Sequence, residues 1–359
     1  MKIPLFTYLK DFFVSQRLFG AGIVAKDLVQ ADLLFQELIR DRKIPGLAVT
    51  VIKDGDTVLQ KGYGHADLET KRRIDPRHTM FRVASVSKPI AAVALAQMVE
   101  EGLVDLDASF YDYVPYYPKK QYDFTLRQLA GHTAGIRGYQ GKEHGLNKPY
   151  SIKDSIEIFK DSDLLFEPGT SYHYNSFDWV LVSLAMQEAS GVPFDVYVRE
   201  KVLKPLKMGH TTAEDANKSY PRAATFYSKN RIGFRKAIPV NNWYKLAGGG
   251  FLSTSEDIAI FGKAQLEKKV TDENTWCQFI TSQTINGNPT YYGLGWQVSQ
   301  DHKGRPFYGH VGNGVGGYSN LFVYPKQGVV FSILVNCTNP EIQKELDHIV
   351  DVILENLMG

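Results

Sequence analysis

The chain has 359 residues, 43% of them hydrophobic and 22% charged, and its 41 basic and 39 acidic side chains leave a net charge of +2. This is ordinary globular usage, so disordered, collagen-like and coiled-coil chains are excluded, and no basic excess points to nucleic acid. Cys277 and Cys337 lie far apart with no C-x-x-C. That excludes a disulfide scaffold and a thiolate metal cluster, and leaves one bridge or two buried thiols open.

In chain order, Met1-Lys2 and the apolar stretch Ile3 to Leu9 resemble the start of a signal peptide. Lys10 and Asp11 interrupt it and no small-residue cleavage site follows, so residues 1–26 read as a leader or N-terminal extension. No run approaches the roughly 20 apolar residues that span a bilayer. From Asp27 to Arg40, Leu28, Ala31, Leu34, Phe35 and Leu38 recur at helical spacing. Pro45-Gly46 breaks the pattern, and Leu47 to Ile52 and Thr57 to Gly62 form a hairpin around Lys53-Asp54-Gly55.

Ile90 to Val99 is apolar nearly all round and predicts a buried helix, and Ser176 to Ser190 predicts another, ended by Gly191-Val192-Pro193. Phe307 to His310, Tyr318 to Tyr324 and Val329 to Asn336 are strand-like. A closing helix is expected to start at Asn339-Pro340, with Asn as cap and Pro at the first helical position, and Ile342, Leu346, Ile349, Val350, Ile353 and Leu357 as its apolar stripe. Strands at both ends around a helical middle imply an α+β fold. Its antiparallel sheet is built from N- and C-terminal strands with flanking helices, and a mostly helical lobe is inserted. We read residues 27–359 as one catalytic domain, with an α/β lobe over 27–84 and 247–359 and a helical lobe over 85–246.

Ser85-Val86-Ser87-Lys88 is an S-x-x-K at the start of the most apolar helix. A serine there lies beside free backbone N–H groups, and a lysine three residues on shares its face. That pattern suits an activated nucleophile with an oxyanion site, although a helix-capping serine with a solvated lysine gives the same four letters. Tyr174 follows the Pro168-Gly169 turn just before a predicted helix, where a core tyrosine is the plainer reading. Gly309 to Gly317 contains His310 and enough glycine for close backbone approach to a ligand, or simply a glycine-rich hairpin. His132, in Gly131-His132-Thr133-Ala134-Gly135, reads as a loop-shaping histidine. No H-E-x-x-H and no G-x-S-x-G occurs, which argues against a zinc site and an α/β-hydrolase elbow.

Taken in order, Ser85-x-x-Lys88, Tyr174 about ninety residues on, and His310-Val311-Gly312 on a late strand resemble the serine β-lactamase and penicillin-binding-protein superfamily, in its class C β-lactamase-like branch. Gly102 to Asp107, His132 to Arg137 and Gly248 to Thr254 extend the resemblance from roughly Ala31 to Asn336. The stretches Asp112 to Pro115 and His132 to Tyr139 look most similar to a mitochondrial β-lactamase-like branch and its bacterial relatives.

The resemblance implies Ser85 as the acylated nucleophile, Lys88 as the group that takes up or relays its proton, and Tyr174 as general base and later acid. Lysine and tyrosine ordinarily titrate near pH 10, so at least one must be depressed to serve as base. Ser176 stands where the family has an asparagine, and its hydroxyl is expected to donate to Lys88 or to substrate. His310-Val311-Gly312 stands in place of a lysine-threonine-glycine motif, with His310 for the lysine and Gly312 keeping the glycine, and both are expected beside the substrate, while Asn313 is expected to offer its backbone N–H with that of Ser85 as the oxyanion hole. The implied activity is a metal- and cofactor-independent serine hydrolase acting through an acyl-enzyme on esters or amides of small molecules or peptides, D-amino-acid peptides and β-lactams among them. Two alternatives stay open, a peptidoglycan-directed D-peptidase and a non-catalytic, self-associating scaffold that keeps the fold. The resemblance favours the cell envelope, and the weak leader leaves the cytoplasm open.

Overall fold

The computed structural model describes Gly20 and residues 22–358. Most of the leader or extension read over residues 1–26 lies outside them. Helix α1 (Val29–Arg40) precedes the hairpin β1 (Gly46–Lys53) and β2 (Asp56–Asp67). Then come α2 (Ser87–Glu100), α3 (Phe177–Ser190) and α4 (Ser255–Leu266). The chain closes with β3 (Gln297–Gln300), β4 (Pro306–Gly314), β5 (Gly317–Tyr324), β6 (Val329–Val335) and helix α5 (Gln343–Met358).

The main sheet has eight strands, running from the short edge strand Ile23–Val24 through β2, β1, β6, β5 and β4 to β3, with Arg72–Arg73 paired on β2. Each pairing along it is antiparallel, and β6 against β1 joins the two ends of the chain, with Ile333 opposite Val49. The fold is α+β, and helices cover both faces.

Side-chain alternation divides the core. On β6, Val329, Phe331, Ile333 and Val335 pack with α1 and α5, while Val330 and Leu334 face the cluster that holds α2, α3 and α4. Strands buried on both faces read as the unbroken apolar runs seen in the sequence. Helix α5 presents Leu346, Ile349, Val350 and Ile353 as a buried stripe, each contributing roughly 1.5–3 kcal/mol by leaving water.

Three expectations need correction. Helix α5 begins at Gln343, because Asn339 and Glu341 adopt φ of 33° and 56°, which no right-handed helix admits, and the Asn339 amide donates to Asn313 Oδ1. The sheet strand β2 runs on to Asp67 rather than ending at Gly62. The two cysteines are free, Cys277 exposed and Cys337 buried, so they are neither a bridge nor two buried thiols. Among the described residues no helix is long and apolar enough to cross a membrane, and no group of three or more His, Cys, Asp or Glu is placed to hold a metal.

Candidate active site

Phe81–Arg82 pairs with Phe251–Ser253 and delivers the chain into a one-turn 3-10 helix, Ala84–Val86, before α2. Ala84 sits at φ 46°, a left-handed conformation that costs a β-carbon residue of order 1–3 kcal/mol and lifts Ser85 out of the wall at the head of the helix. Ser85 is half-buried, while Lys88, three residues on, has 0% exposure. A helix that is apolar all round forces that lysine into the core, and three acceptors make this tolerable. Lys88 Nζ lies 3.2 Å from Ser85 Oγ, 2.8 Å from the Tyr174 hydroxyl and 2.8 Å from the Gly248 carbonyl. Burial still disfavours its charge, with Lys245 pushing the same way and Asp178 opposing, and its pKa falls to about 7.

Tyr174 reaches the site from the loop before α3. That loop is pinned by backbone bonds, His173 N–H to His132 O and Gly169 N–H to Thr133 O. The buried Asn175 amide donates to Ile136 O and His173 O and to Asp178 Oδ2. Tyr174 is 39% exposed as a residue, yet its hydroxyl is enclosed between Lys88 and Ser85, to whose Oγ it donates at 2.7 Å. Surrounding protein pushes its pKa above the ordinary tyrosine range, so at neutral pH it is a phenol. The sequence required one of the pair to be depressed. It is Lys88.

Strand β4 passes close to the Ser85 turn. A β-carbon at Gly312 would lie 2.5 Å from Val83 O and 3.0 Å from Ser85 N, so only glycine lets the strand approach. The Val311 N–H points to the β3 edge and donates to Gln297 Oε1. Asn313, two residues on, carries its N–H on the same edge, beyond the last pairing of β3 at Gly309. Its side chain is exposed, and Asn313 lines a cavity of about 410 Å³ with Ser85, Ser176 and Arg82.

The other expected contacts lie differently. Ser176 lines the cavity, and Lys88 spends its donors on Ser85, Tyr174 and Gly248 instead. His310 is 1% exposed and turned behind Tyr174. Its Nδ1 donates to the Val311 carbonyl, which can only accept, so Nε2 accepts from Tyr292. Burial, reinforced by the Lys88 charge, lowers its pKa to about 3, so the imidazole is neutral throughout the physiological range. His132 shapes its loop as expected, with φ 61°, and in addition its Nδ1 meets Asp178 Oδ2 at 2.7 Å in full burial. Burial holds His132 well below and Asp178 well above their ordinary ranges, so both resist charge.

Sequence reasoning missed two groups at this site. Arg82 grips Glu214 with Nε and Nη2, donates Nη1 to Val315 O, and stacks over Phe226, with its guanidinium carbon 4.2 Å from the ring centroid. Asn242 also donates to Glu214, at 2.7 Å. Asp178, four residues after Tyr174, had a usable signal in that spacing at a helix start.

Comparison with known proteins agrees with this architecture. The family model described as Beta-lactamase matches residues 31–354. The chain is 28% identical to the serine beta-lactamase-like protein LACTB, mitochondrial, of Homo sapiens, over 81% of this chain and 73% of that protein. In structure it is similar to the octameric penicillin-binding protein homologue from Pyrococcus abyssi, with TM-score 0.80 and 23% identity over 91% of this chain and 77% of the other. It is similar also to the D-amino acid amidase from Ochrobactrum anthropi SV3, with TM-score 0.79 and 21% identity over 93% of this chain and 100% of the other.

Proposed function

The chain belongs to the beta-lactamase family, a family of serine hydrolases, and we propose that it cleaves esters or amides through an acyl-enzyme on Ser85. The observation that carries this reading is the triangle of Ser85 Oγ, Tyr174 OH and Lys88 Nζ around an amine whose pKa is about 7. Ser85 Oγ attacks the carbonyl carbon while its proton passes through the Tyr174 hydroxyl, or directly, to the free Lys88 amine. Tyr174 keeps a proton throughout, because its high pKa makes tyrosinate costly. The oxyanion is received by the amides of Ser85 and Asn313. Collapse of the tetrahedral species returns the proton from Lys88 by way of Tyr174 to the leaving group. A water, activated by the same pair, then releases the acyl group.

Gly312 supports this by its packing and Ser176 by its place on the cavity wall, where it can bond the substrate. His310, neutral and buried, acts through Tyr292 and the wall behind Tyr174. The D-amino acid amidase likeness supports amide substrates with a D-residue as the first class to try, with residues 27–359 working as one unit. The octamer named for the Pyrococcus abyssi structure supports self-association beside catalysis, which sedimentation velocity tests.

A panel of short nitrophenyl esters, D-amino acid amides, D-Ala-D-Ala peptides and a chromogenic β-lactam, run against wild type and Ser85→Ala, tests the reading. Turnover by wild type and loss of at least about 10³-fold in the variant is expected. Equal turnover by both would remove Ser85 from the mechanism. Inertness of wild type toward the whole panel would favour the scaffold alternative.

A further inference from the structure

The charges around the cavity do not cancel. Three cationic side chains, Arg82, Arg235 and Lys245, line it, and no aspartate or glutamate does. Arg82 is neutralised from beneath by Glu214 at 2.7 Å. Glu143, next along the chain from the cavity residue His144, is taken up by Arg137 at 2.7 Å and by the Gln140 amide. Among the described residues the Lys245 ammonium has a hydrogen bond only to the His144 carbonyl, at 3.3 Å, and it stands 5.3 and 5.5 Å from the ring centres of Tyr139 and Tyr244. Among the described residues neither Lys245 nor Arg235 is engaged in an ion pair. An ammonium resting on aromatic faces over a concave wall is partly dehydrated and gains from an anionic partner. Its charge is also felt at Lys88, which places it within electrostatic reach of the reacting centre.

We propose that Lys245, assisted by Arg235, forms a subsite for a carboxylate on the substrate, so that the preferred substrates are acyl compounds bearing a free carboxylate near the scissile bond. This rests on the serine-hydrolase reading and narrows it. His310 stands where a related motif carries a lysine, and its imidazole is buried and neutral, so the cation is supplied from a different wall. The Arg235 guanidinium, exposed on the short strand Phe234–Lys236, steers rather than seats the anion.

The test compares the 4-nitrophenyl half-ester of glutarate with its neutral methyl 4-nitrophenyl diester, and 4-carboxyphenyl butanoate with its methyl ester. The first pair places the carboxylate on the acyl side and the second on the leaving group, so the two arms show which side the subsite serves. Assays at pH 9 keep Lys88 as the free amine in every variant. Wild type is expected to prefer the anionic member of one pair by about tenfold in kcat/KM, equivalent to about 1.4 kcal/mol. Lys245→Met should reduce that preference about tenfold, Arg235→Met about threefold, and 0.5 M salt should erode it. No preference in either pair, or an unchanged preference in Lys245→Met, overturns the subsite. Failure of the hydrolase reading shows differently, as no Ser85-dependent turnover of any ester. The subsite is then read directly by calorimetric titration of glutarate into the Ser85→Ala protein, where saturable binding weakened about tenfold by Lys245→Met upholds it and its absence overturns it.

Discussion

Lys88→Arg separates the base from the charge. An ordinary lysine of pKa 10.5 is a free amine about once in 3,000 molecules at pH 7, whereas Lys88, lowered to about 7, is free about half the time. Burial therefore raises the supply of base by roughly 10³-fold. Arginine fills the same pocket yet stays protonated across the working range, so kcat/KM for a neutral activated ester should fall by at least about 10³-fold. The pH profile of wild type should rise through about pH 7 and then level, because the amine form is the active one and lies above its pKa. The same shift has a stability consequence. Between pH 7 and 10.5 the unfolded chain holds a proton that the folded chain has released, so stability rises with pH by roughly 5 kcal/mol from this group. Lys88→Met should flatten that slope in urea titrations at pH 7 and pH 10. An acid limb near pH 10, or a Lys88→Arg variant within tenfold of wild type while folded by circular dichroism, would refute the reasoning.

Gly312→Ala should cost about 10²-fold or more in kcat, because its β-carbon meets Val83 O at 2.5 Å and displaces the strand from Ser85, and a crystal structure or kcat near wild type would count against it. Glu214→Ala strands the buried Arg82 guanidinium, and a loss of about 3–5 kcal/mol is expected in denaturant unfolding. A loss under 1 kcal/mol would show that the pair is solvated. Iodoacetamide should label Cys277 in the folded protein within minutes and Cys337 only on unfolding, as mass spectrometry of peptides reports.

Much of the frame was legible because burial leaves a periodic trace. Val329 to Val335 reads as a strand since both faces are covered, and Leu346 to Ile353 reads as a helix since one face is. The order of Ser85, Lys88, Tyr174 and His310 was legible as a motif, and the chain brings the first three within hydrogen-bonding distance. What escaped depends on distant partners. The neutrality of His310 is set by burial and the Lys88 charge, the charge of Arg82 is offset by Glu214, and the pKa of Lys88 is set by enclosure between α2, α3 and Gly248. The helix start at Gln343 is illegible for a local reason, since Asn339-Pro340 carries cap chemistry while Asn339 and Glu341 adopt positive φ that no helix admits.

The central claim, a covalent acyl-enzyme on Ser85, is tested most directly by intact-protein and peptide mass spectrometry after exposure to a fluorophosphonate and to a slowly released acyl ester. The account predicts one adduct per chain, located on the peptide carrying Ser85, formed faster as pH rises through about 7, and absent in Ser85→Ala. An adduct on another residue, or undiminished labelling of the Ser85→Ala protein, would contradict it.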